Sequence, residues 1–164
     1  ILQRYQPQNL VPNTILLLAN QRFSKDFNQP DQNSPDHSLL ADMIFYGKNY
    51  AFAHRVIPCA ADSLITGYSP EEMDLINSSE KTIYAHFVQQ EILYETKERI
   101  KTRYVGERPN TLEISNKVPG RIGRWLGWKI VEAYMENNEV TLPELMENKN
   151  AREIFNKAQY KPGG

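Results

Sequence analysis

Disulfide chemistry is closed to this chain within itself: its 164 residues contain one cysteine, Cys59, so no internal bridge can form. Long apolar runs are missing as well. The longest, Ile15-Leu-Leu-Leu-Ala19, falls far short of the roughly 20 residues a bilayer-spanning helix needs. Charge of one sign does not accumulate: 19 basic residues stand against 20 acidic ones, for a net charge of -1, and no basic stripe stands out. Nucleic acid is therefore not an expected partner. Period-two alternation is almost wholly absent, which points to an all-α chain. The three histidines, His37, His54 and His86, include no pair one helical turn apart beside a glutamate, so a His-Glu-x-x-His zinc motif is lacking. No cysteine pair could replace it. Cys59 carries no local signature of a nucleophile and reads as a small half-buried residue. No phosphate loop is present either, since no glycine-rich stretch sits between strand and helix. The reading is of no catalytic residue, no metal ligand and no cofactor. The chain opens on Ile1 with neither initiator methionine nor signal sequence, so a fragment or a mature C-terminal portion is expected.

What is present is organised around Val118 to Met135. This stretch predicts one long helix at about 119–136, with Pro119 near its first turn and Asn137-Asn138 at its end. Ile122, Leu126 and Ile130 form an apolar stripe, and Gly120, Gly123 and Gly127 a second one. A glycine inside a helix costs about 1 kcal/mol relative to alanine, so a stripe of them calls for a reason. Close approach of another helix is the ordinary one. The neighbouring Arg121, Arg124, Trp125 and Trp128 suggest another, the wall of a binding groove.

The remaining segments read as shorter helices in a single domain, or in the C-terminal half of a larger one. A first helix is predicted from Pro12 to Phe23, and a polar loop at about 24–36 follows. Asp36 or Ser38 can cap a second helix reaching Arg55, on which Asp42, Tyr46 and Lys48, with Tyr50 nearby, make a polar cluster most simply read as a solvated face. A short helix at 60–65 ends at Gly67. Ser69-Pro-Glu-Glu72 is a capping box with proline at the first helical position, and Thr141-Leu-Pro-Glu144 repeats it. A helix from Glu80 to Tyr94 would put Glu91 on or near the core face, with Arg121 as a natural partner, or at the exposed edge of the stripe. Further helices are expected up to Tyr104 and from Asn150 to Lys157.

Several of these segments carry a family resemblance: Met43-Ile-Phe-Tyr-Gly-Lys48, Ile57-Pro58 with Asp62, Gly67-Tyr-Ser69, Glu91-Ile-Leu-Tyr94, Pro119-Gly-Arg-Ile-Gly-x-Trp-Leu-Gly-Trp-Lys-Ile-Val131 and Tyr160-Lys-Pro162. Together they resemble the gliding motility-associated lipoprotein B family of Bacteroidetes, over about 5–162. The resemblance implies a lipid-anchored envelope protein, periplasm-facing or outer-membrane associated, linked to gliding and type IX secretion, with the signal peptide and lipidated cysteine upstream. That family is similar in turn to predicted zinc peptidases with a zincin-like helical core. By order of elements, their His-Glu-x-x-His helix would correspond to Pro12-Asn-Thr-Ile-Leu16, and their third ligand, a glutamate before glycine, to Tyr46-Gly47. On that placement the base and every ligand are replaced. The implied role is a non-catalytic peptidase-like module that binds an envelope protein or peptide through Arg121, Trp125, Trp128, Glu91, Tyr46 and Lys48. Two alternatives stand beside it: an active zinc-dependent peptidase whose ligands lie upstream of Ile1, and a glycan or small-molecule binder using the tryptophans.

Overall fold

Two glycines set the geometry of the fold. In the computed structural model, which describes residues 7–26 and 36–163, helix α2 (Leu39–Val56) crosses helix α7 (Ile122–Asn138) with backbone against backbone at Gly47 and Gly127. A β-carbon on Gly127 would lie 1.9 Å from the Met43 carbonyl oxygen, and one on Gly47 would lie 2.4 Å from the Gly127 carbonyl carbon. Only the missing side chains permit this approach. Around the crossing lies the core, with Leu39, Leu40, Met43, Trp125, Leu126, Ile130 and Val131 all buried.

The other helices wrap this pair: α1 (Pro7–Asp26), α3 (Asp62–Thr66), α4 (Pro70–Ser78), α5 (Glu80–Gln89), α6 (Glu98–Val105), α8 (Leu142–Glu147) and α9 (Ala151–Ala158). Among the described residues there is no strand, only one antiparallel bridge between Asn110 and Pro119. The all-α expectation holds. Helix α9 packs along α7, and its last turn is tied there by Asn137 Nδ2, which donates to the Ala158 carbonyl at 2.6 Å.

Local chemistry explains the starts of α2, α4 and α8. Ser38 caps α2, its hydroxyl accepting from Ala41 N at 3.3 Å, while Asp36 accepts from Ser38 N at 3.0 Å. Ser69 and Glu72 form the expected reciprocal box at α4, and Thr141 and Glu144 do so at α8. Gly67 ends α3 in the left-handed region at φ 72°. A Ser69→Ala variant is expected to lose about 1 kcal/mol, seen as a fall of roughly 3 °C in melting temperature. An unchanged melt would mean that α4 needs no cap.

Five expectations are corrected. Helix α7 begins at Ile122, not at Pro119, because Pro119 and Gly120 belong to the bridge: Thr111 N donates to Val118 O at 2.8 Å and Gly120 N to Pro109 O at 3.1 Å. Gly120 is thus no part of a helical stripe, yet it too is needed for contact, since its β-carbon would lie 1.9 Å from the Arg108 carbonyl oxygen. Helix α5 stops at Gln89, where Glu91 turns left-handed at φ 53° and a 3-10 turn over Ile92–Tyr94 follows. Helix α1 is longer than predicted at both ends and accommodates Pro12 in its interior. The expected loop at about 24–36 is helical to Asp26, and its 27–35 lie outside the described residues. Cys59 is exposed in the α2–α3 connection, not half-buried.

Candidate functional site

One pocket, of about 440 Å³, is framed by α1, α2, the end of α3 and the start of α7. Its lining mixes charged, aromatic and apolar side chains. From α7 come Arg121 and Arg124, one helical turn apart; from the loop after α6 comes Glu107; from α2 come Tyr46, Asn49 and Tyr50. Leu10, Asn13, Leu16 and Leu17 of α1 close one side, and Ile65, Thr66 and Gly67 the other.

The two guanidinium groups are held firmly. Arg124 Nε donates to the Val105 carbonyl at 2.6 Å, and its guanidinium carbon lies 4.1 Å from the centre of the Tyr46 ring. Arg121 occupies the left-handed N-cap of α7 at φ 63°, with its guanidinium 5.3 Å from the centre of the Tyr68 ring. Cation–π contact of this kind stabilises a partly desolvated arginine and fixes its plane. Tyr68 is itself anchored, its hydroxyl donating to the Gly120 carbonyl at 2.7 Å, and burial pushes its phenol up so that it stays neutral. Glu107 bridges the arginines: its carboxylate lies 3.5 Å from Arg121 Nε and 3.4 Å from Arg124 Nη1. The lining holds neither histidine nor cysteine. What the pocket offers is positive charge, aromatic faces and apolar side chains.

Of the residues singled out from sequence, Arg121, Arg124, Tyr46 and Tyr50 meet here. Trp125, Trp128, Glu91 and Lys48 are elsewhere. Trp125 and Trp128 point into the core, 0% and 2% exposed, so the groove wall expected of them is corrected; Trp128 packs edge-on against Tyr50 and His54. Glu91 is exposed beyond α5, and Arg121 pairs with Glu107 instead. The cluster on α2 is divided by helical geometry. Asp42 pairs with Lys101 at 2.8 Å, whereas Lys48 is buried against the α8–α9 connection, its ammonium donating to the Asn148 carbonyl. It is no solvated face. Arg124, expected as part of a groove wall, does line the pocket, whereas Glu107 was not expected. Arg124 had a signal, its position three residues after Arg121; Glu107 had none, because the loop that carries it shows no periodicity.

The histidines do not converge. His86 Nε2 lies 3.1 Å from the Tyr104 hydroxyl, His54 Nδ1 lies 3.6 Å from Glu132 Oε1, and the His37 carbonyl accepts from Lys101 Nζ at 3.1 Å. Among the described residues no group of three His, Cys, Asp or Glu side chains is placed to hold a metal ion. A second cavity, between α7 and the C-terminal segment, is lined by Lys129, Glu132 and Glu136 and by Tyr160, whose hydroxyl donates to Glu80. Burial raises the Glu132 carboxyl above its usual range. No described helix is long and apolar enough to cross a membrane.

No curated protein and no solved structure matches the chain. A family model does, that of the gliding motility protein GldB, across residues 1–162. With nearly its whole length matched, the chain belongs to the GldB family of gliding motility lipoproteins, a membership that associates it with the cell envelope.

Proposed function

We propose that this chain is a non-catalytic, peptidase-like binding module of the envelope, acting alongside gliding and type IX secretion by holding a protein or peptide in the pocket between α1, α2 and α7. One observation carries the reading. The positions assigned by element order to the lost base, a lost histidine and the lost third ligand of a zincin are Asn13, Leu16 and Tyr46, and all three line that one pocket. Two of them come from α1 and one from α2, so their meeting is a tertiary fact independent of the assignment. Asparagine is no general base, leucine has no donor atom for zinc, and Tyr46 is engaged under Arg124. The site keeps the concavity in which a peptidase would lay a peptide and replaces the hydrolytic atoms by guanidinium groups and apolar carbon.

Metal analysis and a peptidase assay on the purified full-length protein test the proposal. Zinc well below one equivalent and no cleavage of a mixed peptide substrate are expected. Stoichiometric zinc with cleavage would overturn the non-catalytic assignment and favour ligands supplied from outside these residues.

A further inference from the structure

The pocket already contains a model of its own ligand. Glu107 sits on an exposed loop, its side chain 56% accessible, and reaches two arginines whose side chains are only 12% and 15% accessible. Its distances of 3.5 and 3.4 Å are longer than the 2.7–2.9 Å or so of a well-formed charge-assisted hydrogen bond. On these two cations the carboxylate is ion-paired beyond hydrogen-bond distance, while each cation is held by contacts of its own. It meets Arg121 through Nε, while the terminal nitrogens of that guanidinium lie over Gly67, 3.7 Å from where a β-carbon would stand. A guanidinium recognises carboxylate best through two parallel N–H donors, and that geometry is not the one Glu107 uses on Arg121.

Two cations face one carboxylate among the described charged residues of the lining. Helix α7 adds to the positive field there, as its first turn carries no acidic residue. Beside the charges, Leu10 and Leu17 are more than half exposed and share the pocket with Leu16 and Ile65. Cationic and apolar side chains lie within one cavity, of a size that suits two or three residues of an extended peptide.

We infer that the pocket captures a peptide carboxylate adjacent to an apolar side chain, with Arg121 as its main anchor, and that Glu107 is a built-in competitor which the ligand displaces. The inference rests on the peptide-binding reading above and specifies its chemistry. The apolar neighbour lies on Leu16, Leu17 and Ile65. Arg121 and Arg124 are held by Tyr68, Tyr46 and the Val105 carbonyl before the ligand arrives, so little side-chain entropy is lost on binding.

An array of hexapeptides decides the matter, each sequence presented with a free C-terminal acid, as its C-terminal amide, and with an internal glutamate or glutamine. Purified full-chain protein is applied as wild type, Arg121→Met and Glu107→Gln. Wild type should retain peptides with a carboxylate next to leucine or phenylalanine at least about tenfold better than their amide or glutamine counterparts. Arg121→Met should abolish that preference, and Glu107→Gln should strengthen retention severalfold, a gain that a purely structural glutamate would not produce. Preference for the free acid alone identifies a chain terminus; preference for internal glutamate identifies a side chain; either supports the inference. If acid and neutral peptides bind equally and Glu107→Gln does not tighten retention, the inference falls while the peptide-binding reading stands. If wild type retains no peptide of any kind, both fall. Should Arg121→Met melt early, Arg121→Lys takes its place, with a reduced preference expected because one ammonium cannot supply the paired donors.

Discussion

Gly127→Ala is expected to lower the melting temperature by roughly 10 °C, corresponding to about 3 kcal/mol of lost stability for a chain of this size. Two effects oppose each other. Alanine is the better helix former by about 1 kcal/mol, which alone would stabilise α7. Against it, the new methyl would stand 1.9 Å from the Met43 carbonyl oxygen and 2.5 Å from its carbonyl carbon. Both are backbone atoms in the middle of α2, so no rotamer change relieves the overlap and the helices must separate. Separation loosens the packing of the whole pair, which the propensity gain cannot offset. Gly123→Ala is the control. There the nearest atoms are the Tyr104 carbonyl oxygen and Val105 Cγ1 at 3.1 Å and Met43 Cγ at 3.3 Å, two of which are side-chain atoms that can yield. Its cost should stay within about 1 kcal/mol of wild type. Gly47→Ala should resemble Gly127→Ala, and the double variant should cost less than the sum, since both open the same contact. Equal thermal melts for the Gly123 and Gly127 variants would show that the crossing is not limited by backbone contact.

Lys48 predicts an effect of opposite sign. It is 1% exposed, its ammonium donates to the Asn148 carbonyl, and no carboxylate pairs with it among the described residues. Burial, aided by the charge of Lys149, pushes its pKa down to about 8 from an ordinary 10.5. Below pH 8 the folded and unfolded chains both carry the charge, and folding bears the full cost of desolvating it. Between pH 8 and 10.5 the folded protein sheds the proton first. The unfolded state then binds more protons, so this group's contribution to stability rises with pH across that window. Lys48→Met should therefore stabilise the protein at pH 7, by about 2 kcal/mol: roughly 3 from the removed charge, less about 1 for the donor lost to Asn148. At pH 10.5 the gain should be gone, and the lost donor should leave the variant less stable by up to about 1 kcal/mol. Urea denaturation of both proteins at pH 7 and pH 10.5 measures this. A variant less stable at pH 7, or one with the same advantage at both values, would mean that the ammonium is better solvated than its burial indicates.

The two residues were legible to different degrees. Gly127 stood out because glycine is costly within a helix, and close packing was the ordinary explanation; the partner glycine, Gly47, could not be paired with it from sequence, since 80 positions separate them. Lys48 was placed with Asp42 and Tyr46 because they are near in sequence. Yet a helix advances about 100° per residue, so two positions are enough to turn a side chain from one face to the opposite one. The same limit misled the reading of Trp125 and Trp128. Flanking arginines suggested a groove, and Arg121 and Arg124 do line one, but both indoles are buried in the core and take no part in it.

The capped helix starts, the all-α class and the family follow from short-range signals: a serine with glutamate three residues on, a glycine able to turn left-handed, a contiguous motif. Each works through bonds spanning three or four residues, so neighbouring letters suffice to read it. The pocket obeys other rules. Its charge depends on a loop glutamate reaching across to α7, its apolar side chains on α1 packing against α2, and its missing indoles on which side of α7 the core occupies. Those are outcomes of burying one particular surface against another. Packing three helices around a glycine crossing selected which residues would face each other, and no local pattern carries that information.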